Sequence, residues 1–316
     1  MSARRARPVT PQGLRASLDA RLRNAATARE TSPEELRKQF AFTLLFRRLF
    51  HEGGDRWLVL GGNALILRTR GGRFTQDVDL ARADQWNSKE ELKEDLEQVF
   101  ARDVGDPFVF SLKDLKENDH RDPYGYGTRT AEASVVVHLG GRQFDEFKID
   151  ISQRRHVDGP VHYIDPVPVI EHDVVKDLPS IPVVPIENHL ADKICAMYEK
   201  HQGRVSWSTR YRDLADIVRI VQGVEIDAAA LVTTLNHEQQ RRRIPDLPQE
   251  LRSPHDSWTR EYPKAAQKFA GFPQELFSLK DSLDFAGQCL NEILNRSRTQ
   301  GRWCPQQQTW REESHT

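Results

Sequence analysis

No stretch of this chain stays apolar for the roughly 18–20 residues that a membrane-spanning helix needs, so a transmembrane protein is not expected. Cysteine is scarce: Cys195, Cys289 and Cys304 lie far apart and are odd in number. They give neither a disulfide framework nor a zinc spacing and fit a reducing compartment, so the expected location is the cytoplasm. Net charge is nearly absent. The 46 basic and 47 acidic residues leave −1 at neutral pH, so no global field draws in nucleic acid and any such surface has to be a local patch. The opening MSARRARPVTPQ is basic but lacks the apolar core of a secretory signal. Apolar residues make up 38% of the 316 and charged residues 29%, which fits a soluble globular protein with some solvated segments and room for two domains.

Residues 1–12 read as disordered. Leu14, Leu18 and Leu22 at spacing four predict an amphipathic helix over 13–30, and Ser32 with Glu35 resembles a capping box opening a helix over 33–51. A strand over 57–60, a helix or turn over 63–69, a strand over 74–82 and a helix over 88–101 follow. Residues 106–120 are ambiguous, whereas 132–139 and 143–152 pair as a hairpin about Gly140-Gly141. The proline- and valine-rich 158–185 is an extended connector with room for a short strand. From Pro185 the pattern turns helical, over 186–201, 208–222, 226–239, near 260–270 and over 275–296. The domain reading is a disordered 1–12, a mixed unit over 13–180, a helical unit over 181–296, and a polar tail over 297–316 with Trp303 and Trp310 as its only large anchors.

The most informative run is GGNALILRTRGGRFTQDVDL, residues 61–80. Gly61 and Gly62 follow the apolar Trp57-Leu58-Val59-Leu60 and open a helical segment. Glycine lets backbone approach a phosphate, a helix N-terminus favours anions, and Asn63 adds a hydrogen-bonding side chain; an ordinary Gly-Gly turn is the alternative. Asp77 and Asp79 are one residue apart between Val78 and Leu80, so on a strand both carboxylates share one face and the apolar residues the other. The cheapest partner for clustered carboxylates beside apolar residues is a hard divalent cation, Mg²⁺ for choice, which keeps waters and takes substrate phosphates as its remaining ligands. Asp150, in Lys148-Ile149-Asp150-Ile151-Ser152, alternates in the same way and is the candidate third acid; a solvent-facing sheet edge is the alternative. This chemistry points to phosphoryl or nucleotidyl transfer. Thr75, two residues before Asp77, is expected to border the metal site, where phosphorylation would add close to two negative charges and impair metal and triphosphate binding.

Gly-Gly, then Asp-x-Asp, then a later strand Asp resembles the DNA polymerase β-like nucleotidyltransferase superfamily. The whole arrangement resembles its AbiEii/AbiGii toxin branch, with the related MenT-type toxins. The N-terminal helices, Glu187-x-x-x-x-Asp192-Lys193-Ile194 and Arg210-x-Arg212-Asp213-x-x-Asp216-Ile217 support that branch, over roughly residues 14–240. The spacing from Gly62 to Asp77, through Arg70-Gly71-Gly72-Arg73, is slightly longer than the usual pattern.

The resemblance implies an α+β fold: a polymerase β-like core with a mixed sheet, plus a helical C-terminal domain, with the active site in the cleft between them. It implies metal at Asp77, Asp79 and Asp150, and catalytic roles for these with Lys193 and Asp213. Lys193 would reach the triphosphate as a point charge, and Arg210 and Arg212 are able to contact phosphate or acceptor RNA, with a fully solvated role as the alternative. It further implies a toxin of a toxin–antitoxin or phage-defence pair, an NTP co-substrate, a cognate antitoxin, and an RNA acceptor, with the tRNA 3′ end the best guess. A protein or small-molecule acceptor, and a non-catalytic nucleotide-binding partner protein, are the alternatives. Beyond this, Arg4, Arg5 and Arg7, Arg154-Arg155 and Arg241-Arg242-Arg243 are basic clusters able to hold phosphates or simply to be solvated, and Tyr124 and Tyr126 are able to stack on a base.

Overall fold

Leucines every fourth residue bury one stripe of the first helix, and a proline at its first turn starts it. In the computed structural model, which describes residues 10–54, 56–70, 74–118, 129–153, 157, 159–199, 208–269 and 271–312, helix α1 spans Pro11–Ala28. Thr10 caps it, and Leu14, Leu18, Leu22 and Ala26 are buried. Residues 10–12 are therefore the cap and first turn of a helix, because proline at the first helical position is pre-organised for it. Helix α2 (Pro33–Leu49) opens on the expected capping box: the Glu35 amide donates to Ser32 Oγ, and the Glu35 side chain accepts from the Ser32 amide.

The remaining elements are β1 (Trp57–Val59), α3 (Gly61–Thr69), β2 (Asp77–Arg82), α4 (Lys89–Phe100), β3 (Phe108–Asn118), β4 (Thr130–Leu139), β5 (Arg142–Gln153), β6 (His162–Ile164), β7 (Ile181–Val183), α5 (Ile186–Tyr198), α6 (Tyr211–Gly223), β8 (Ile226–Asp227), α7 (Ala228–Arg241), α8 (Trp258–Ala266), α9 (Leu279–Leu294), β9 (Arg302–Cys304) and β10 (Thr309–Arg311). The ambiguous 106–120 is strand β3, pairing with β4 along its length around a bulge at Leu112/Asp114. The connector contributes two short strands rather than one.

Seven strands form a mixed sheet in the order β3-β4-β5-β2-β1-β7-β6. β2/β5 and β1/β7 are parallel, and the other neighbours antiparallel. One face packs on α1, α2 and α4 through Phe40, Leu44, Val78, Leu80, Leu96 and Ile149, among other fully buried side chains. A second apolar cluster gathers α5–α9 around Leu190, Ile217, Trp258 and Leu290. Leu65 of α3 belongs to this second cluster, so the helix that starts at the glycine pair is wedged between the two cores.

The segment after 297, expected as a polar tail, is part of the fold. β9 pairs with β10 and with β8, Trp303 is buried, and its indole N–H donates to the Val221 carbonyl at 2.8 Å. Two tryptophans bury enough apolar surface to hold a short hairpin whose other side chains are polar. Among the described residues, no helix is long and apolar enough to cross a membrane.

Candidate active site

The register of β2 against β5 does most of the construction. Asp77 lies opposite Lys148, and Asp79 opposite Asp150. Residues directly opposite in a sheet share a face, so Asp77, Asp79 and Asp150 are neighbours on the face away from α2. Val78, Leu80, Ile149 and Ile151 fill the core on the other side. β4 extends the same rungs: Glu132 stands opposite Asp150, and Ser134 opposite Lys148. A fourth carboxylate and a lysine thus border the trio, and Lys148 Nζ lies 2.9 Å from Glu132 Oε2. The Asp150 carboxyl is pushed above its ordinary range by partial burial, then by the charges of Asp77 and Glu132, with Lys148 opposing. The Lys148 ammonium is pushed up by its hydrogen bond with Glu132 and by the charges of Asp77 and Asp150.

Helix α3 meets these acids end-on. Gly61 has φ +56°, and a Cβ there would stand 1.9 Å from Asp79 Oδ2. Only glycine leaves the space in which the Asp79 carboxylate sits, and only glycine takes that backbone conformation at little cost. Leu60, the N-cap of α3, makes no side-chain capping bond, and the first amides of a helix have no partner within it. Asn63 is buried and donates its amide to the Asp77 carbonyl at 2.8 Å; the Thr75 hydroxyl donates to the same carbonyl at 2.6 Å. Both side chains hold the start of β2 in place. Thr75 is also buried, packing where a Cβ on Gly62 would come within 3.3 Å. At its other end α3 is tied to the sheet by Arg68, which lies 3.0 Å from His162 Nδ1 and donates to the Val184 carbonyl at 2.5 Å.

Across from the sheet, α5 and α6 present the second wall. Lys193 is buried and bridges Asp213 (3.2 Å) and Asp216 (2.5 Å). Asp213 also pairs with Arg210 at 3.1 Å. The three-residue spacing puts both aspartates on one face of α6, so they hold one ammonium between them. Asp213 therefore orients Lys193, and Asp216 shares that task. A cleft of about 440 Å³ separates the walls, lined by Gly61, Gly62, Asp79, Lys193, Arg210 and Asp213 together with Asn188, His189, Thr234, Glu238 and Arg241. Asp77 and Asp150 stand beside Asp79 on the sheet rather than among the lining residues. Arg212 is exposed and also outside the lining.

The Arg241-Arg242-Arg243 run has a different place from either sequence reading. Arg242 pairs with Asp192, Glu199 and Glu238, and Arg241 with Glu238, in a network tying the end of α7 to α5. Only Arg243 of the three is exposed. Partial burial pushes the Asp192 carboxyl up, but Arg242, Lys193, Arg241 and His189 outweigh it and hold it near 2. Arg4, Arg5, Arg7, Gly71 to Arg73, Tyr124, Tyr126, Arg154 and Arg155 lie outside the described residues.

Among the described residues, no three His, Cys, Asp or Glu side chains already converge tightly enough to enclose an ion. The trio on β2 and β5 is instead an acidic face of the sheet, and the upward push on Asp150 reflects its partial burial and the neighbouring charges of Asp77 and Glu132. That donor set suits a hard cation whose remaining ligands are waters and phosphate oxygens.

A mixed sheet bearing three strand-borne acids beside a glycine-opened helix, facing a helical wall with a clamped lysine, describes a nucleotidyltransferase. A profile of the AbiEii toxin family, nucleotidyl transferases of type IV toxin–antitoxin systems, matches residues 43–288. The chain belongs to this family and is a toxin nucleotidyltransferase. No curated protein matches it. Among solved structures it is similar to MenT4, a nucleotidyltransferase toxin from Mycobacterium tuberculosis (19% identity over 70% of this chain and 68% of that one, TM-score 0.48). It is also similar to JHP933 from Helicobacter pylori (16% identity over 84% and 95%, TM-score 0.45).

Proposed function

We propose that this toxin transfers nucleotides from an NTP to an RNA acceptor, the 3′ end of tRNA for choice, with Mg²⁺ held by Asp77, Asp79 and Asp150. The observation that carries the reading is the β2/β5 register, which sets three carboxylates on one face against the N-terminus of α3. Asp77, Asp79 and Asp150 would hold the divalent cation, which when bound would supply charge stabilisation at the α-phosphate and a lowered pKa for the attacking hydroxyl. The amides of Gly61 and Gly62 receive phosphate oxygens at the helix N-terminus. Lys193, oriented by Asp213 and Asp216, places positive charge on the opposite side of the cleft, and Arg210 adds to it. Asn63 acts through the Asp77 backbone. Arg212, exposed on α6, is assigned to the acceptor RNA.

The acceptor hydroxyl oxygen bonds to the α-phosphorus, the bond to the bridging oxygen breaks, and pyrophosphate leaves with the electron pair. Asp150, on the strand beside Asp79, is placed to take the hydroxyl proton. Adding nucleotides to the 3′ end of tRNA would stop translation, and a cognate antitoxin would restrain it. Phosphorylation of Thr75 would push Gly62 aside and load two negative charges beside Asp77, so Thr75→Glu is expected to be inactive.

The deciding experiment expresses the wild type and Asp79→Ala in cells and sequences tRNA 3′ ends. Extended ends with the wild type alone are expected. Unchanged RNA, with labelled nucleotide on protein or a small molecule, would transfer the reading to that acceptor.

A further inference from the structure

The donor cleft and the acids are not coextensive, and the difference indicates where the acceptor enters. The cleft is lined from β1, Asp79 and Ala81 of β2, Ser152 at the end of β5, and α3 and α5–α7, with no described residue of β3 or β4. Lys193, Arg210 and the glycine amides, the groups suited to a triphosphate, all lie on that flank. On the other flank of the acids the same sheet face continues across β5, β4 and β3. Its rungs read Asp79–Asp150–Glu132–Lys116 and Asp77–Lys148–Ser134–Asp114. In an in-line displacement the attacking oxygen and the leaving pyrophosphate lie on opposite sides of the phosphorus. With the triphosphate on the cleft flank, the acceptor has to approach across this open face.

We propose that Lys148 is the acceptor-side phosphate contact, receiving the phosphodiester next to the attacking hydroxyl, with Lys116 one strand further out along the same path. Lys148 is one strand from Asp77, about 5 Å in the hydrogen-bonding direction, and two residues from Asp150, about 7 Å along the strand. Its partner in this state is Glu132, with both side chains partly open to water. An exposed, solvent-screened pair of this kind contributes little to stability, so Lys148 exchanges Glu132 for an RNA phosphate at little cost. Lys116 is more exposed still and pairs with Asp114 beside it on β3. The inference rests on the RNA reading above and adds the side from which RNA comes.

The test measures binding of a short fluorescent RNA with a free 3′ hydroxyl, in EDTA so that no turnover occurs, across a salt series. For Lys148→Ala an affinity about 5- to 20-fold weaker is expected, with the slope of log K against log salt smaller by about 1, as for one lost phosphate contact. Lys148→Arg is expected to restore both. In steady state with Mg²⁺, Lys148→Ala should raise KM for RNA and leave KM for NTP unchanged, whereas Arg210→Ala should do the reverse. Wild-type RNA binding with an unaltered affinity and slope in Lys148→Ala would overturn the subsite alone. A rise in KM for NTP would move Lys148 to the donor side and overturn it likewise. An absence of RNA binding by the wild type would overturn the RNA reading and this subsite together.

Discussion

The two walls of the cleft handle charge in opposite ways. On the sheet wall three aspartates and Glu132 crowd one face with Lys148 among them, and the Asp150 proton is held more tightly than usual. On the helical wall Lys193 is enclosed by two buried aspartates, one of which also has Arg210. The first wall gathers like charges on one face; the second encloses a cation between opposite charges. Under the proposed function, the sheet wall would take up metal and the enclosed lysine would keep the opposite wall rigid.

The comparison breaks most visibly if the helical wall is opened. Lys193→Met leaves the carboxylates of Asp213 and Asp216 buried without their shared cation. It is expected to lower stability by about 3–5 kcal/mol, read by urea denaturation, besides removing activity. A stability close to wild type would show that the lysine clamp is not what holds α5 to α6.

A smaller effect, on activity rather than stability, is expected from Gly61→Ala. The added methyl would meet Asp79 Oδ2 and displace the carboxylate. A misplacement of about 1 Å costs roughly 100-fold in rate, so nucleotide incorporation should fall by about that much while the circular dichroism spectrum is retained. Full activity would mean that Asp79 works from a different position.

The smallest effect sharpens the contrast between the walls. Asp150 binds its proton more tightly folded than unfolded. With divalent ions stripped, its contribution is therefore most favourable below the ordinary carboxylate pKa of about 3.9 and is lost as pH rises through the folded value. Asp150→Asn removes that penalty. It is expected to raise stability at pH 7 by less than about 1 kcal/mol, the residue being open to solvent, and to leave it unchanged near pH 3. Thermal melting in EDTA at the two pH values checks this, and a loss of stability at pH 7 would refute it. Opposite signs for Lys193→Met and Asp150→Asn would be the clearest measure of the difference between the walls.

Much of this was legible in the chain. Alternation around Asp77, Asp79 and Asp150 assigned their face before any strand pairing was known, because a strand has period two. The capping box at Ser32 and the glycine pair at 61–62 marked helix starts through local hydrogen bonding and backbone freedom. Glu132 was not legible. Counting outward from the Gly140-Gly141 turn pairs it with Ile149 and turns it to the core, but an irregularity at Val137/His138 shifts the register by one residue and sets it opposite Asp150. The partners of Lys193 and of Arg241 and Arg242 come from other helices, and nothing local selects between a solvated arginine and a buried one. The C-terminal hairpin was missed because its polar composition outweighed two tryptophans whose burial depends on α6 and α9.

The sequence by itself determined the chemistry on offer: which strand positions carry acid, where a glycine frees a helix end, and which family the chain belongs to. Only the tertiary structure decided which charges are neutralised and which are left open, because neutralisation depends on distances between segments far apart in the chain. That distribution, through one shifted strand register and one enclosed lysine, divides the wall crowded with carboxylates from the wall built around a buried ammonium.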